Sequence, residues 1–223
     1  MIMRAIFLDK DGTLVENVPY NVNPGLIELS WHAGQALQLL QHMGFALFVV
    51  TNQSGVAKGL FTEAALDPVH ERLSELLAQY GVTLSGFYYC PHSPDGVVSR
   101  YAVPCTCRKP MPGMLYRAAR EREIDLSQSW MIGDILHDVE AGRRAGCRTV
   151  LIDNGNETEW NESPLRTPDL KAPDLYAAAS MIAAVENDSA MDDAVEDLGS
   201  MGNPAASGGL GPPDAVGSGN QQI

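Results

Sequence analysis

Two carboxylates two residues apart, Asp9 and Asp11 in Asp9-Lys10-Asp11-Gly12-Thr13, are the part of this chain best suited to chemistry. Ala5-Ile6-Phe7-Leu8 before them is a short apolar run of the kind buried on both faces of a parallel sheet, and Gly12-Thr13 breaks it. Both acids therefore fall at the carboxyl end of a strand, where open α/β sheets bind ligands. Side chains alternate along a strand, so residues two apart leave from the same side. One carboxylate can then attack while the other moves protons, a pairing suited to a covalent acyl-phosphate. Taken alone, the pentapeptide also fits a solvated turn or the opening of a calcium loop. A calcium loop, however, needs a Glu at its twelfth position, which here is Tyr20, and lies between two helices.

Further polar residues stand where other strands should end. Ala46-Leu47-Phe48-Val49-Val50 reads as a second buried strand and is followed by Thr51-Asn52-Gln53-Ser54-Gly55; Trp130-Met131-Ile132 is followed by Gly133-Asp134, with Asp138 one helical turn later. Each has an ordinary reading as a helix cap or a turn. Their recurrence at successive strand ends points instead to one shared edge. Phe87-Tyr88-Tyr89 and Thr149-Val150-Leu151-Ile152 supply two more strands. Helical patterns fill the intervals at 33–43, 63–79, 113–122 and 138–145, and a last one runs from about 175 to 185. Strands alternating with helices of this length predict right-handed βαβ units and a three-layer, Rossmann-like α/β fold with a parallel sheet. No Gly-rich loop ending in Gly-Lys-Ser/Thr follows any strand, and the dinucleotide fingerprint is missing too.

Four cysteines occur, and three of them cluster with a histidine: Cys90-Pro91-His92 and Cys105-Thr106-Cys107, separated by residues 93–104. Three thiolates and one imidazole make a closed tetrahedral set of the kind that holds structural Zn2+. The alternative is buried thiols beside a surface histidine. Cys147 stands apart and reads as a plain core residue. Arg108-Lys109-Pro110 follows Cys107 directly, so a metal that pins the loop would also fix a guanidinium and an ammonium, the groups an anionic phosphate needs.

The chain has 223 residues, 45% of them hydrophobic, and a net charge of −13. That is enough for one substantial core, and the acidity argues against a nucleic-acid binder. No apolar run approaches the length of a membrane span, and the N-terminus enters a strand at once, so a cytoplasmic protein without a signal peptide is expected. From 187 onward the chain turns acidic and rich in Gly, Ala, Ser and Pro, as in Ser207-Gly208-Gly209 and Gly211-Pro212-Pro213, which predicts a disordered tail over 187–223 after a folded domain over 1–186.

Four stretches, taken in order, resemble the haloacid dehalogenase-like phosphatases: Phe7-Leu8-Asp9-Lys10-Asp11-Gly12-Thr13, Val49 to Ala57, Tyr88-Tyr89-Cys90-Pro91-His92 and Cys105 to Pro110. Within that superfamily the chain resembles the D-glycero-D-manno-heptose 1,7-bisphosphate 7-phosphatases, and more distantly the histidinol-phosphate phosphatases. The resemblance spans about residues 4–153. It implies a haloacid dehalogenase-like fold with the zinc loop at 90–107 and no large cap. It implies a Mg2+-dependent phosphomonoesterase in which Asp9 is the nucleophile, Asp11 the general acid/base, and Thr51 and Lys109 the holders of the phosphoryl group. Mg2+ would be bound by Asp9, Asp11 (through its main-chain carbonyl) and Asp134, and structural Zn2+ by Cys90, His92, Cys105 and Cys107. Asn17, Tyr20, Asn52, Gln53, Ser54 and Arg108 match substrate-contact positions. The substrate expected is a small sugar phosphate, handled by a monomer with no nucleic-acid or membrane partner. The family usually carries Lys after its fourth-motif Asp, where this chain has Ile135, and Val18-Pro19 also departs from its pattern. Alternatives are a histidinol-phosphate or broader sugar phosphatase, and a silent scaffold that keeps the fold.

Overall fold

The computed structural model describes residues 2–161 and 163–200. Six strands form one all-parallel sheet in the order β3-β2-β1-β4-β5-β6. They are β1 (Ala5–Leu8), β2 (Ala46–Asn52), β3 (Leu84–Cys90), β4 (Trp130–Gly133), β5 (Arg148–Ile152) and β6 (Leu170–Ala172). Five α-helices connect or follow them: α1 (Ala33–His42), α2 (Leu66–Ala78), α3 (Gly113–Arg122), α4 (Leu136–Ala145) and α5 (Leu175–Ser200).

Strand alternation divides the core in two. Ile6 and Leu8 of β1 join Leu37 and Leu40 of α1, Val69, Leu73 and Leu77 of α2, and Ala178 and Ile182 of α5 on one face. Ala5 and Phe7 join Phe48, Val50, Leu115 and Ala118 of α3, and Ala141 of α4 on the other. All four residues of β1 have no exposed surface, which explains why they read as an unbroken apolar run. Each large side chain buried this way contributes roughly 1.5–3 kcal/mol relative to exposure. The core therefore fixes the central strands, and with them the points from which the loops at their carboxyl ends start.

The expected strands and helices are present, with two differences. Leu170-Lys171-Ala172 adds a sixth strand beside β5, too short to show a pattern. Helix α5 also outruns its expected end near Val185 and continues to Ser200. Residues 187–200 contain no proline, and their one glycine, Gly199, comes at the end, so nothing before it stops a helix already begun. The chain divides into one compact unit ending at Val185 and a second beginning at Glu186. Residues 201–223, which hold the Gly/Pro-rich part of the expected tail, lie outside the described residues. No helix of the described residues is long and apolar enough to cross a membrane.

Candidate active site

Asp9 and Asp11 sit just past β1, and Asp134 just past β4, its neighbour in the sheet. The pairing brings the two strand ends together: the Asp9 amide donates to the Ile132 carbonyl at 2.9 Å. Between them the chain turns at Gly12, whose φ of +86° is open chiefly to glycine. A Cβ there would come within 2.2 Å of Asp134 Oδ2, so the missing side chain is also what lets the two acids approach. Gly133 does the same for Asp138, whose carboxylate would lie 2.3 Å from a Cβ at that position.

Asp9, Asp134 and Asp138 are all buried, and their carboxylate oxygens lie within 4.8 Å of one another. One cation enters the cluster. Lys109 Nζ donates to Asp9 Oδ1 at 2.5 Å and to the Val50 carbonyl at 2.9 Å, and lies 2.7 Å from Asp138 Oδ1. Three carboxylates against one ammonium leave the cluster short of positive charge. Burial first, then the charge of Asp9, pushes Asp134 up to about 6. Asp138 is pushed up to about 7 by burial, against the pull of Lys109. The same neighbours hold the Lys109 ammonium protonated, above its ordinary range, against the effect of its own burial. Such a set of hard oxygens fits a divalent cation of the Mg2+ type.

The supporting contacts are specific. Asp134 Oδ2 accepts from Asn156 Nδ2 at 2.8 Å and its Oδ1 from Thr13 Oγ1 at 3.2 Å. The Ile135 amide donates to Asp138 Oδ2 at 3.3 Å and fixes that carboxylate against the start of α4. Asp11 is less enclosed, with a side chain 30% exposed. Lys10 donates to its Oδ1 at 2.6 Å and Gln53 to its Oδ2 at 3.2 Å. Desolvation still raises its carboxyl above the usual range, with Lys10 opposing and Asp9 adding to the rise.

Strand β2 brings the next residues in. Thr51 is buried at its end, and its hydroxyl accepts from Gln53 Nε2 at 2.9 Å. Asn52 grips the Lys109 main chain twice, accepting from its amide at 3.0 Å and donating to its carbonyl at 3.1 Å. Its amide group therefore positions Lys109. Ser54 closes a turn by accepting the Lys58 amide at 3.0 Å through its carbonyl. Asn17 lines a cavity of about 350 Å3 beside Gly12, Thr13 and Asn156. Tyr20 is half exposed and accepts from Lys58 Nζ at 2.6 Å. Arg108 donates to the His92 carbonyl at 3.3 Å, on the side of the sulfur cluster.

That cluster gathers as the spacing suggested. Cys90, at the end of β3, Cys105, Cys107 and His92 bring three sulfurs and Nδ1 together, with sulfur–sulfur separations of 3.0–3.5 Å. Cys107 and Cys90 sulfurs lie 3.4 and 3.6 Å from His92 Nδ1. These gaps are far from the ~2.05 Å of a disulfide and near the edge lengths of a tetrahedron around one metal. Hydrogen bonding with Cys90, then with Cys105 and His92, holds the Cys107 thiol down to about 5, while Cys90 is pushed up. A ready thiolate beside two thiols and an imidazole fits a zinc-type ion. Cys147 is buried apart in the core, its thiol raised to about 12 by desolvation.

Sequence reasoning noted Asp138 one turn after Asp134 but gave it no role at the site. Its place in the ion cluster follows from the docking of α4, which begins at Leu136, just after Asp134. Asn156 and Lys10 were missed, and Asn156 comes from an irregular segment that carries no pattern.

The fold and this cluster define a haloacid dehalogenase-like phosphatase, and the HAD-hydrolase-like family model matches residues 106–178. A solved D,D-heptose 1,7-bisphosphate phosphatase of B. bronchiseptica, complexed with magnesium and phosphate, superposes with a TM-score of 0.71 at 32% identity, over 82% of this chain and 99% of that one. The D-glycero-beta-D-manno-heptose-1,7-bisphosphate 7-phosphatase of Yersinia pestis is 44% identical over 154 residues, 68% of this chain and 81% of its own. Its counterpart in Escherichia coli K12 is 45% identical over the same length, 68% and 80% of the two chains. The chain belongs to the D-glycero-beta-D-manno-heptose-1,7-bisphosphate 7-phosphatase family.

Proposed function

We propose that this chain removes the C7 phosphate of D-glycero-beta-D-manno-heptose 1,7-bisphosphate through an aspartyl-phosphate formed on Asp9. The observation that carries the reading is Lys109 between Asp9 and Asp138, at the end of the sheet where Asp11 and Thr51 also lie. Lys109 holds Asp9 by Oδ1, so Oδ2 is the oxygen that attacks phosphorus. Its ammonium and the Thr51 hydroxyl receive the equatorial oxygens of the transferring group. Asp11, whose raised carboxyl retains a proton more readily than an ordinary aspartate, protonates the leaving sugar oxygen. The Asp9–phosphorus bond forms as the phosphorus–oxygen bond to C7 breaks. Asp11, now a base, takes a proton from water, which cleaves the acyl-phosphate and returns both groups to their starting state.

Asp9, Asp134 and the main-chain carbonyl of Asp11 would hold Mg2+. When bound it neutralises the acids and the incoming phosphate, so that an anionic nucleophile can approach an anionic ester. Cys90, His92, Cys105 and Cys107 would hold Zn2+, fixing the chain that leads directly into Arg108 and Lys109. The magnesium and phosphate bound in the B. bronchiseptica relative support this reading, as do the names of the curated relatives. The test is phosphate release with Mg2+ from both anomers of the heptose bisphosphate and from histidinol phosphate under one set of conditions. Strong preference for the β-anomer is expected. Even, slow turnover of all three would overturn the substrate assignment.

A further inference from the structure

The loop after Asp11 contains a strained tyrosine whose conformation none of the chemistry above requires. Val18-Pro19-Tyr20-Asn21 is a turn closed by the Asn21 amide on the Val18 carbonyl at 3.2 Å. Pro19 occupies its second position, and Tyr20 its third with a φ of 55°, the position that type II turns reserve for glycine. A tyrosine there is strained, and its phenol meets one partner. Lys58 Nζ donates to Tyr20 Oη at 2.6 Å and lies 5.0 Å from the centre of its ring.

Lys58 is itself placed by its backbone. Its amide donates to the Ser54 carbonyl, and the preceding carbonyl, of Ala57, accepts from both Val97 at 2.8 Å and Val98 at 2.9 Å of the cysteine-flanked loop. Tyr101 of the same loop donates to Glu63, which also accepts from Tyr89 at 2.9 Å. The lysine thus stands on a braced turn while its side chain remains exposed. The two partners come from two segments that each lead away from the acid site. Tyr20 lies on the segment that leaves Asp11, and Lys58 on the turn that leaves Gln53, whose side chain bonds Asp11.

Two other cations of the site are already paired with carboxylates, and a third, Arg108, is turned toward the sulfur cluster. Lys10 pairs with Asp11, Lys109 with Asp9 and Asp138, and Arg108 bonds the His92 carbonyl. Lys58 is the one held by a neutral phenol. A phosphate dianion competes well for such an ammonium, because a charge-assisted bond replaces a neutral one, and the released phenol can donate to the same anion. We propose that Lys58, presented by Tyr20, is a specificity-determining residue that binds the phosphate of the substrate remote from the phosphorus under attack. This rests on the bisphosphatase reading above.

The experiment compares wild type, Lys58→Met and Lys58→Arg on heptose 1,7-bisphosphate and on p-nitrophenyl phosphate, which has no second phosphate. Lys58→Met is expected to raise KM for the bisphosphate about tenfold more than KM for p-nitrophenyl phosphate. Its kcat on the bisphosphate should fall less than about threefold, because the contact is to a non-reacting group. Lys58→Arg should recover most of the difference. Equal changes in KM for the two substrates would overturn the inference and leave the bisphosphatase reading standing. A wild type that cleaves p-nitrophenyl phosphate but not the bisphosphate would overturn both.

Discussion

Among the described residues two clusters could hold a positive ion, and they are assembled in opposite ways. The carboxylate cluster draws Asp9, Lys109, Asp134 and Asp138 from distant parts of the sequence, and only the parallel order of β1, β2 and β4 brings them together. The sulfur cluster draws on two short pairs, Cys90/His92 and Cys105/Cys107, at either end of one loop. The first is imposed by a core that would fold without it. The second organises a loop with little core of its own. An ion at the carboxylates would therefore serve function, and one at the sulfurs structure. Lys109, two residues beyond Cys107, joins the two.

Asp9→Asn breaks the comparison most completely. It should lower kcat by on the order of 10^4 or more while leaving the fold and the sulfur cluster intact. Near-normal phosphate release from that variant would sink the nucleophile assignment. Cys107→Ser should act on the other side, reducing bound zinc measured by mass spectrometry. It should cost roughly 3 kcal/mol of stability, a fall of about 6–12 °C in Tm for a chain of this size. An unchanged Tm in a zinc-free variant would show that the loop holds itself.

The pH response sharpens the contrast. Asp134 and Asp138 titrate near 6 and 7 in the metal-free fold, above their ordinary value of 3.8. The folded chain then binds more protons than the unfolded chain between about pH 4 and 7, so metal-free stability should fall as pH rises through that window. Mg2+ should flatten or reverse the slope. Thermal melts at pH 5 and 7.5, with and without Mg2+ and at constant zinc, check this; identical slopes would contradict the ion-deficient cluster. The smallest effect expected is from Asn156→Ala. It removes the 2.8 Å bond to Asp134 and should weaken Mg2+ about tenfold in an activity titration, with little change in Tm.

What the sequence disclosed follows the same division. The sulfur ligands were legible because their spacing is local, and Asp9, Asp11, Thr51 and Asp134 because each ends an apolar strand. Lys109 was legible only through its place after Cys107 and through family resemblance. That its partner is Asp138 depends on how α4 docks against the sheet, and no spacing in the chain encodes that. The hold of the Asn52 amide on the Lys109 backbone, a pairing across 57 residues, was not legible either. Strand β6 was too short to show a period, and Asn156 sits in a stretch with no regular structure at all.

The crowding of Asp9, Asp134 and Asp138 has a consequence for anyone who would evolve this protein in the laboratory. A screen for heat resistance run without magnesium will reward a neutral residue at 134, since it relieves a repulsion that the single ammonium of Lys109, engaged by Asp9 and Asp138, offsets only in part. The survivors would be hardier and inert. A selection run in saturating magnesium removes that shortcut and directs improvement to the loops and the surface instead.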